Sequence, residues 1–216
     1  MGKVSEVQGD SLEGFVADLD DTTVLAHLAN PLADPHAVLQ RATTRVVMDL
    51  FAYLRTRDQA QPQPAVACAL SRETHDADLK AGELTRIQHA FSYSDGFGRE
   101  MQKKLQAEPG PLTPGGTVLN PRWVGSGWTI FNNKGKPVRQ YEPFFSATHA
   151  FEFERTQGVS PVLCYDPVGR VVATLHPNHT WEKVVFDPWR QEAWDANDTV
   201  LITDPRQDAD VGAHFA

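Results

Sequence analysis

Apolar positions follow two regimes along this chain. Between Asp34 and Thr56, the residues Leu39, Ala42, Val46, Leu50 and Leu54 recur every three to four positions, with Val47 and Phe51 beside them. That spacing predicts an amphipathic helix over 35–56. Asp34 suits its N-cap and Pro35 its first position, while Arg41, Arg45, Asp49 and Arg55 fall mostly on the opposite side. A shorter helix is expected over Thr22–Leu28, capped by Asp21 and ended near Pro31. Gln59–Pro64 is a polar linker broken by prolines, and Ala65–Leu70 reads as a short buried strand. From about His89 the pattern becomes strand after short strand, separated by Gly, Pro, Asn and Asp. The stretch 107–121, with Pro109, Pro111, Pro114, Pro121, Gly110, Gly115 and Gly116, predicts a long surface loop. The expected organisation is an acidic segment 1–58 holding helix 35–56, a linker plus short strand over 59–88, and β-hairpins over 89–216. The fold class is mainly β with one or two helices, an α+β arrangement.

One local pattern repeats within the strand-rich part. Ser94-Asp95-Gly96-Phe97-Gly98-Arg99, Phe131-Asn132-Asn133-Lys134-Gly135-Lys136 and Tyr165-Asp166-Pro167-Val168-Gly169-Arg170 share one template. An aromatic or Ser comes first, then Asp or Asn, two free positions, Gly, and a base. Phe186-Asp187-Pro188-Trp189-Arg190 is a fourth copy without the glycine. Asp or Asn opening a β-turn bonds the backbone two residues on, Pro pre-sets the second position, and Gly is favoured at the fourth. Each copy is therefore expected to close a hairpin. After the third turn, Val171, Ala173 and Leu175 are expected on one face, with Arg170, Thr174 and His176 on the other. Self-similarity at irregular intervals points to a repeat architecture in which each unit buries its face against its neighbours.

Composition narrows the class. The 216 residues hold 28 acids against 20 Lys and Arg, a formal charge of −8 that disfavours general nucleic-acid binding. No apolar run reaches the roughly 18–20 residues of a membrane-spanning helix. Two cysteines, Cys68 and Cys164, make neither a disulfide framework nor a four-thiolate zinc site. The chain opens without a signal-peptide pattern, since Lys3 is followed by Val4-Ser5-Glu6-Val7-Gln8.

The residues Tyr165–Arg170 display in full the Tyr-Asp-x-x-Gly-Arg pattern of RHS/YD-repeat proteins, which this sequence resembles. The stretches Phe91–Glu100, Arg122–Trp128 and His176–Glu182 are similar to the large B component of bacterial insecticidal toxin complexes, also described as SpvB-like. The similarity runs from about Gly9 to the end, and the opening Met1-Gly2-Lys3 resembles interior sequence of such a subunit. The resemblance implies a fragment or short relative of a much longer protein. It implies antiparallel RHS hairpins forming part of a curved sheet or shell, built with the C component around a cytotoxic effector. It also implies indirect partnership with the pore-forming A component, and a secreted or extracellular setting as part of a bacterial toxin complex. The self-cleaving protease of such assemblies belongs to the C component and has no counterpart in this sequence. Two departures concern register: Tyr93 sits one residue early, with Ser94 before Asp95, and the fourth copy lacks its Gly.

Candidate chemistry is sparse, and the expectation is a structural chain without enzyme activity, cofactor or metal. His176-x-x-His179-x-x-Glu182 has the residue types of a metal site, but Pro177-Asn178 marks a turn, and three apart on a strand means opposite faces. Cys164 ends a Val-Leu-Cys run and reads as a small buried hydrophobe. Gly125-Ser126-Gly127 lacks the second Gly of a nucleophile elbow, Trp128 standing in its place. The acids at Asp20-Asp21 and in the tail lack a calcium loop's spacing. Trp123, Trp128, Trp181, Trp189 and Trp194, with Phe144, Phe145, Phe151 and Phe153, favour core and cross-strand packing. A stacking surface at Trp181 and Trp189 would instead suit a carbohydrate- or cell-surface-binding module. The residues expected to matter are those of the turns: Asp95, Gly98, Arg99, Asn132, Gly135, Lys136, Tyr165, Asp166, Gly169, Arg170 and Asp187. One continuous sheet of such hairpins would leave open edges, so self-association of the excised chain is expected.

Overall fold

A computed structural model describes residue 10, residue 12 and residues 14–215; Met1-Gly2-Lys3 and Glu13 lie outside the described residues. The described chain is mostly antiparallel sheet with three short helices, a β-rich α+β fold. It divides into two compact units. One comprises Met1–Gly125 with Phe145–Phe151, the other Ser126–Phe144 with Glu152–Ala216.

The first unit begins with α1 (Asp21–Ala29) and α2 (Pro35–Leu39). Asp20, not Asp21, caps α1, accepting from the Thr23 N–H at 2.9 Å and its hydroxyl at 2.7 Å. Asp34 caps α2 with Pro35 in its first turn, as the sequence leads one to expect.

The helix expected over 35–56 does not form. After α2 the chain enters strand β1 (Thr44–Asp49) and then a single turn of helix, α3 (Ala52–Thr56). Gln40, at φ 55°, ends α2 in a left-handed conformation. The run Thr43-Thr44-Arg45-Val46-Val47 is rich in β-branched residues, which pack better on a pleated surface than in a helix. Two inward guanidinium groups complete the break. Arg45 donates to Val38 O at 2.8 Å, and Arg72 to Ala42 O at 2.9 Å and to Gln40 O. These bonds satisfy carbonyls that a continued helix would have paired internally. Val46, Leu50 and Leu54, expected on the buried stripe, are more than half exposed, while Val47 is buried.

Strand β1 is the edge of a six-stranded sheet ordered β1-β2-β3-β4-β5-β8, with β2 (Ala65–Arg72), β3 (Ile87–Ser94), β4 (Glu100–Ala107), β5 (Arg122–Gly125) and β8 (Phe144–Ser146). Strand β2 is two residues longer than expected. On β3 every second residue is buried, from Ile87 to Tyr93. Phe91 stands edge-on to Trp123, with ring centroids 5.6 Å apart, and Leu39, Cys68, Leu70 and Ile87 fill the space around them. The 107–121 connection is a loop pinned by one bridge, Gly110 to Leu119.

The second unit holds the hairpin β6 (Thr129–Phe131) and β7 (Pro137–Gln140). It also holds a four-stranded sheet ordered β12-β11-β10-β9, made of β9 (Val162–Tyr165), β10 (Val171–Leu175), β11 (Trp181–Phe186) and β12 (Gln191–Trp194). Among the described residues the strands therefore form three sheets rather than the single continuous sheet expected. On β10 a register shift between Val171 and Ala173 buries both Val172 and Ala173, which breaks the expected alternation of faces. The acid-rich tail covers this sheet. Val211, Ile202 and Phe215 pack on Trp181, Val172 and Ala173.

Truncating the centre of the first core, Phe91→Ala, is expected to cost about 3–5 kcal/mol in urea unfolding followed by fluorescence. Val46→Thr, on the exposed side of β1, should stay within about 0.5 kcal/mol; a 35–56 helix would bury Val46 and put the same change above about 1 kcal/mol.

Candidate functional site: the repeated hairpin turn

The template residues close hairpins, and they do so through one bonding scheme. Counting from the Asp or Asn, the first residue receives a backbone bond at its carbonyl from the fourth and gives one from its N–H to the fifth. Gly98 donates to Asp95 O at 3.0 Å and Asp95 to Arg99 O at 3.0 Å. Gly135 donates to Asn132 O at 2.9 Å and Asn132 to Lys136 O at 2.9 Å; Gly169 donates to Asp166 O and Asp166 to Arg170 O, both at 3.0 Å. The fourth residue is left-handed in each, at φ 74° for Gly98, 76° for Gly135 and 89° for Gly169. This is the three-residue hairpin loop with a left-handed closing residue, and that conformation is why glycine recurs there.

The side chain at the first position does the capping. Asp95 Oδ1 accepts from the N–H groups of Phe97 and Arg99 at 2.8 and 3.0 Å. Asn132 Oδ1 accepts from Lys134 and Lys136 at 2.9 and 3.0 Å, and Asp166 Oδ1 from Val168 and Arg170 at 3.0 and 2.9 Å. The other oxygen of each aspartate takes the base of the template: Arg99 Nε and Arg170 Nε reach Asp95 Oδ2 and Asp166 Oδ2 at 2.7 Å. Burial works to raise Asp95 and Asp166, but the bonds from these arginines and backbone amides hold both below the ordinary carboxylate value. Asp187 keeps the capping pair, from Trp189 and Arg190 at 2.7 and 2.9 Å, in a turn one residue shorter. Its N–H bonds Arg190 O, so no left-handed fourth residue is needed and the glycine is dispensable.

A fifth copy was missed in the sequence. His176 donates to Thr180 O at 2.8 Å and receives from His179 at 3.0 Å, with His179 itself left-handed at φ 67°. His176 replaces Asp at the first position and Asn178 caps Thr180 instead, at 3.1 Å. The usable signal was Pro177 at the template's second position. Across this hairpin His176 Nε2 faces Glu182 Oε1 at 3.2 Å, so two of the residues with metal-ligand character pair with each other.

Neighbouring turns are joined. The Tyr165 hydroxyl donates to Pro137 O of the preceding hairpin at 2.7 Å, and Lys134 Nζ donates to Pro167 O at 2.6 Å. A Cβ on Gly169 would meet Lys136 Cε at 3.1 Å. Arg170 also lies over the Phe186 ring, 4.0 Å from its centroid, linking β10 to β11. In the first unit, the displaced Tyr93 serves the core instead: its hydroxyl donates to His149 O at 2.7 Å, and a register shift between Tyr93 and Ser94 absorbs the offset.

The two tryptophans singled out together go separate ways. Trp181 is 2% exposed, its indole N–H bonding Ile202 O at 2.9 Å, so it belongs to the core and offers no stacking surface. Trp189 is 94% exposed at a turn tip. Sequence reasoning also overlooked Lys183, buried against Asp208 and Asp210 at 2.8 and 2.7 Å beneath Trp194. Burial works against its charge, but the two carboxylates outweigh it and raise Lys183 above its ordinary value. Burial raises the Cys164 thiol and pushes Cys68 up to about 12, the opposite of a nucleophile's tuning. Among the described residues no helix is long and apolar enough to cross a membrane.

Solved structures share this fold. The TcdB2-TccC3 crystal structure superimposes with a TM-score of 0.62 at 23% identity, over 92% of this chain and 9% of that one. TcdB2-TccC3 without its hypervariable C-terminal region gives 0.56 at 23% identity, over 91% of this chain and 10% of that one. The Photorhabdus luminescens Tc holotoxin pore gives 0.56 at 21% identity, over 93% and 10%. The chain has a Tc-toxin-like fold. It spans about a tenth of the length of the Tc chains it matches. No protein-family model matches it, and no curated protein does.

Two substitutions test the geometry of this Tc-like segment. Gly169→Val is expected to cost about 1–3 kcal/mol, since a β-branched residue must adopt φ 89° beside Lys136. Lys183→Met should cost about 3–5 kcal/mol, because it leaves Asp208 buried without its partner; chemical denaturation monitored by circular dichroism reads both.

Proposed function

We propose that this chain is a structural segment of an RHS-repeat toxin-complex subunit, one that helps wall a shell around a cytotoxic effector. One observation carries the reading: among the described residues four turns share one backbone bonding scheme and a fifth, at Asp187, is a version one residue shorter, with adjacent turns tied through Tyr165 and Lys134, on a fold like that of the TcdB2-TccC3 chains. Such turns extend a wall by local rules and need no reactive centre. On this reading the chain is not an enzyme. Its direct partners are other segments of the same subunit and a C component with its enclosed effector, and a pore-forming A component is reached indirectly. The setting is a secreted bacterial toxin complex, and the SpvB-like, insecticidal subtype is part of the same proposal.

The exposed Trp189 favours a second reading, a carbohydrate- or cell-surface-binding module. A glycan array separates the two: specific binding abolished by Trp189→Ala supports the module, and a blank array supports the wall.

The wall reading is tested by co-expressing the native gene product with a toxin-complex C component and its effector, then adding protease. The effector should co-purify and resist digestion, with protection falling at least about tenfold when Gly135 and Gly169 are both replaced by Val. Failure of the C component to co-purify with the unmutated protein would overturn it.

A further inference from the structure

The first unit carries a charge-sensitive feature that the wall reading does not use. Three histidines from three separate elements meet inside it: His27 in the last turn of α1, His89 on β3 and His149 in the Phe145–Phe151 segment. His27 and His89 stack with centroids 5.8 Å apart and an interplanar angle of 29°. Both are buried, at 5% and 2% exposure. Neither ring nitrogen of His89 reaches a partner with good hydrogen-bond geometry; the groups that approach it are Gln106, Ile87 and Pro31. His149 works as a bracket. Its Nε2 donates to Leu28 O at the end of α1 at 2.9 Å, its own carbonyl accepts from Tyr93, and its ring lies 4.9 Å from Phe91 and 5.5 Å from Trp123.

Carbonyl and amide oxygens near His89 and His149 favour their protonated forms, but burial outweighs them. From β2, the Cys68 thiol lies 3.9 Å from His27 Nε2. From β4, the buried Lys104 donates to Thr148 O at 3.2 Å and adds its own positive field at His149. From β3, Tyr93 is a buried phenol whose burial raises it far above titration in this range. At the edge of the apolar cavity that His149 lines, about 310 Å³ in volume, Asp49 is already taken by Arg55. Burial is the main cause that disfavours the charged form of each histidine.

We propose that His27, His89 and His149 form an acid-operated latch, which fastens α1 and the 145–151 segment to the six-stranded sheet while the rings are neutral and loosens them on protonation. Burial, and then the fields of His89 and His149, lower His27 to about 4. Burial lowers His89, and burial with Lys104 lowers His149. Unfolded histidine titrates at about 6.5. The folded state therefore binds fewer protons between those values, so the latch is fully set above about pH 6.5 and weakens as pH falls toward about 4. The turn aspartates, held below 3.8, keep their pairs through this window.

Cys68, buried beside His27, reports the opening. In a Cys164→Ser background, its labelling by 2,2′-dithiodipyridine is measured from pH 7.5 to 4.5 and normalised to the urea-unfolded chain at each pH. The normalised rate should rise at least about tenfold across that range, since a single histidine displaced by one pKa unit already shifts an opening equilibrium about tenfold. The His27→Asn, His149→Gln double variant should flatten the rise. A flat profile in the parent, or an equal rise in a folded double variant, overturns the proposal. Should the variant not fold, the histidine ring protons of the parent decide by NMR: a ring titrating below pH 5 supports the latch, and three rings titrating near 6.5 overturn it.

Discussion

A side-chain oxygen that caps two backbone amides is the interaction on which the strand-rich parts of this protein rest. In a three-residue hairpin loop the amides after the first position have no ladder partner, and leaving them bare costs free energy comparable to a lost hydrogen bond. Asp95, Asn132, Asp166 and Asp187 supply the acceptor from within the turn, so each hairpin is closed by its own residues. The arginine that follows then neutralises the carboxylate's remaining oxygen, except where Asn132 carries no charge to neutralise. Because the device is local, it repeats at irregular spacing without loss: whatever lies between two turns is free to vary.

What the turns do not provide is contact from one hairpin to the next. That comes from other residues in and beside the turns. Tyr165 reaches the preceding hairpin's backbone, Lys134 reaches the following turn's, and Arg170 covers Phe186 across the ladder. The aromatic and the base of the template thus have distinct tasks from the Asp and Gly, and Tyr93 shows the cost of moving one. Placed a residue early, it turns into the core and bonds the His149 backbone.

The cores of both units carry charge to an unusual degree. Arg45, Arg72 and Lys104 point inward in the first, and Lys183 in the second. All four end on backbone carbonyls or carboxylates, which is the condition for keeping such groups out of water. The three histidines differ: His27 and His89 are buried and His149 half-buried, and burial lowers all three, so the interior that tolerates fixed, paired cations disfavours new ones.

Features settled within a few residues could be read before any folding was known. Asp-x-x-Gly turns, the Asp34-Pro35 helix start, the 107–121 loop and the β-rich class were legible because capping, proline geometry and left-handed glycine are local chemistry. The 35–56 helix was misread because its apolar spacing was genuine but unused: Arg45 and Asp49 are buried and Val46 and Leu50 exposed, a choice made by partners on β2 and by carbonyls at Val38 and Gln40. Trp181 was buried by the tail that folds over its strand, whereas Trp189 stands bare at a turn tip. The histidine cluster was invisible for the same reason. Its members are far apart along the chain, and only tertiary packing decides which distant side chains share a volume too dry to accept a proton.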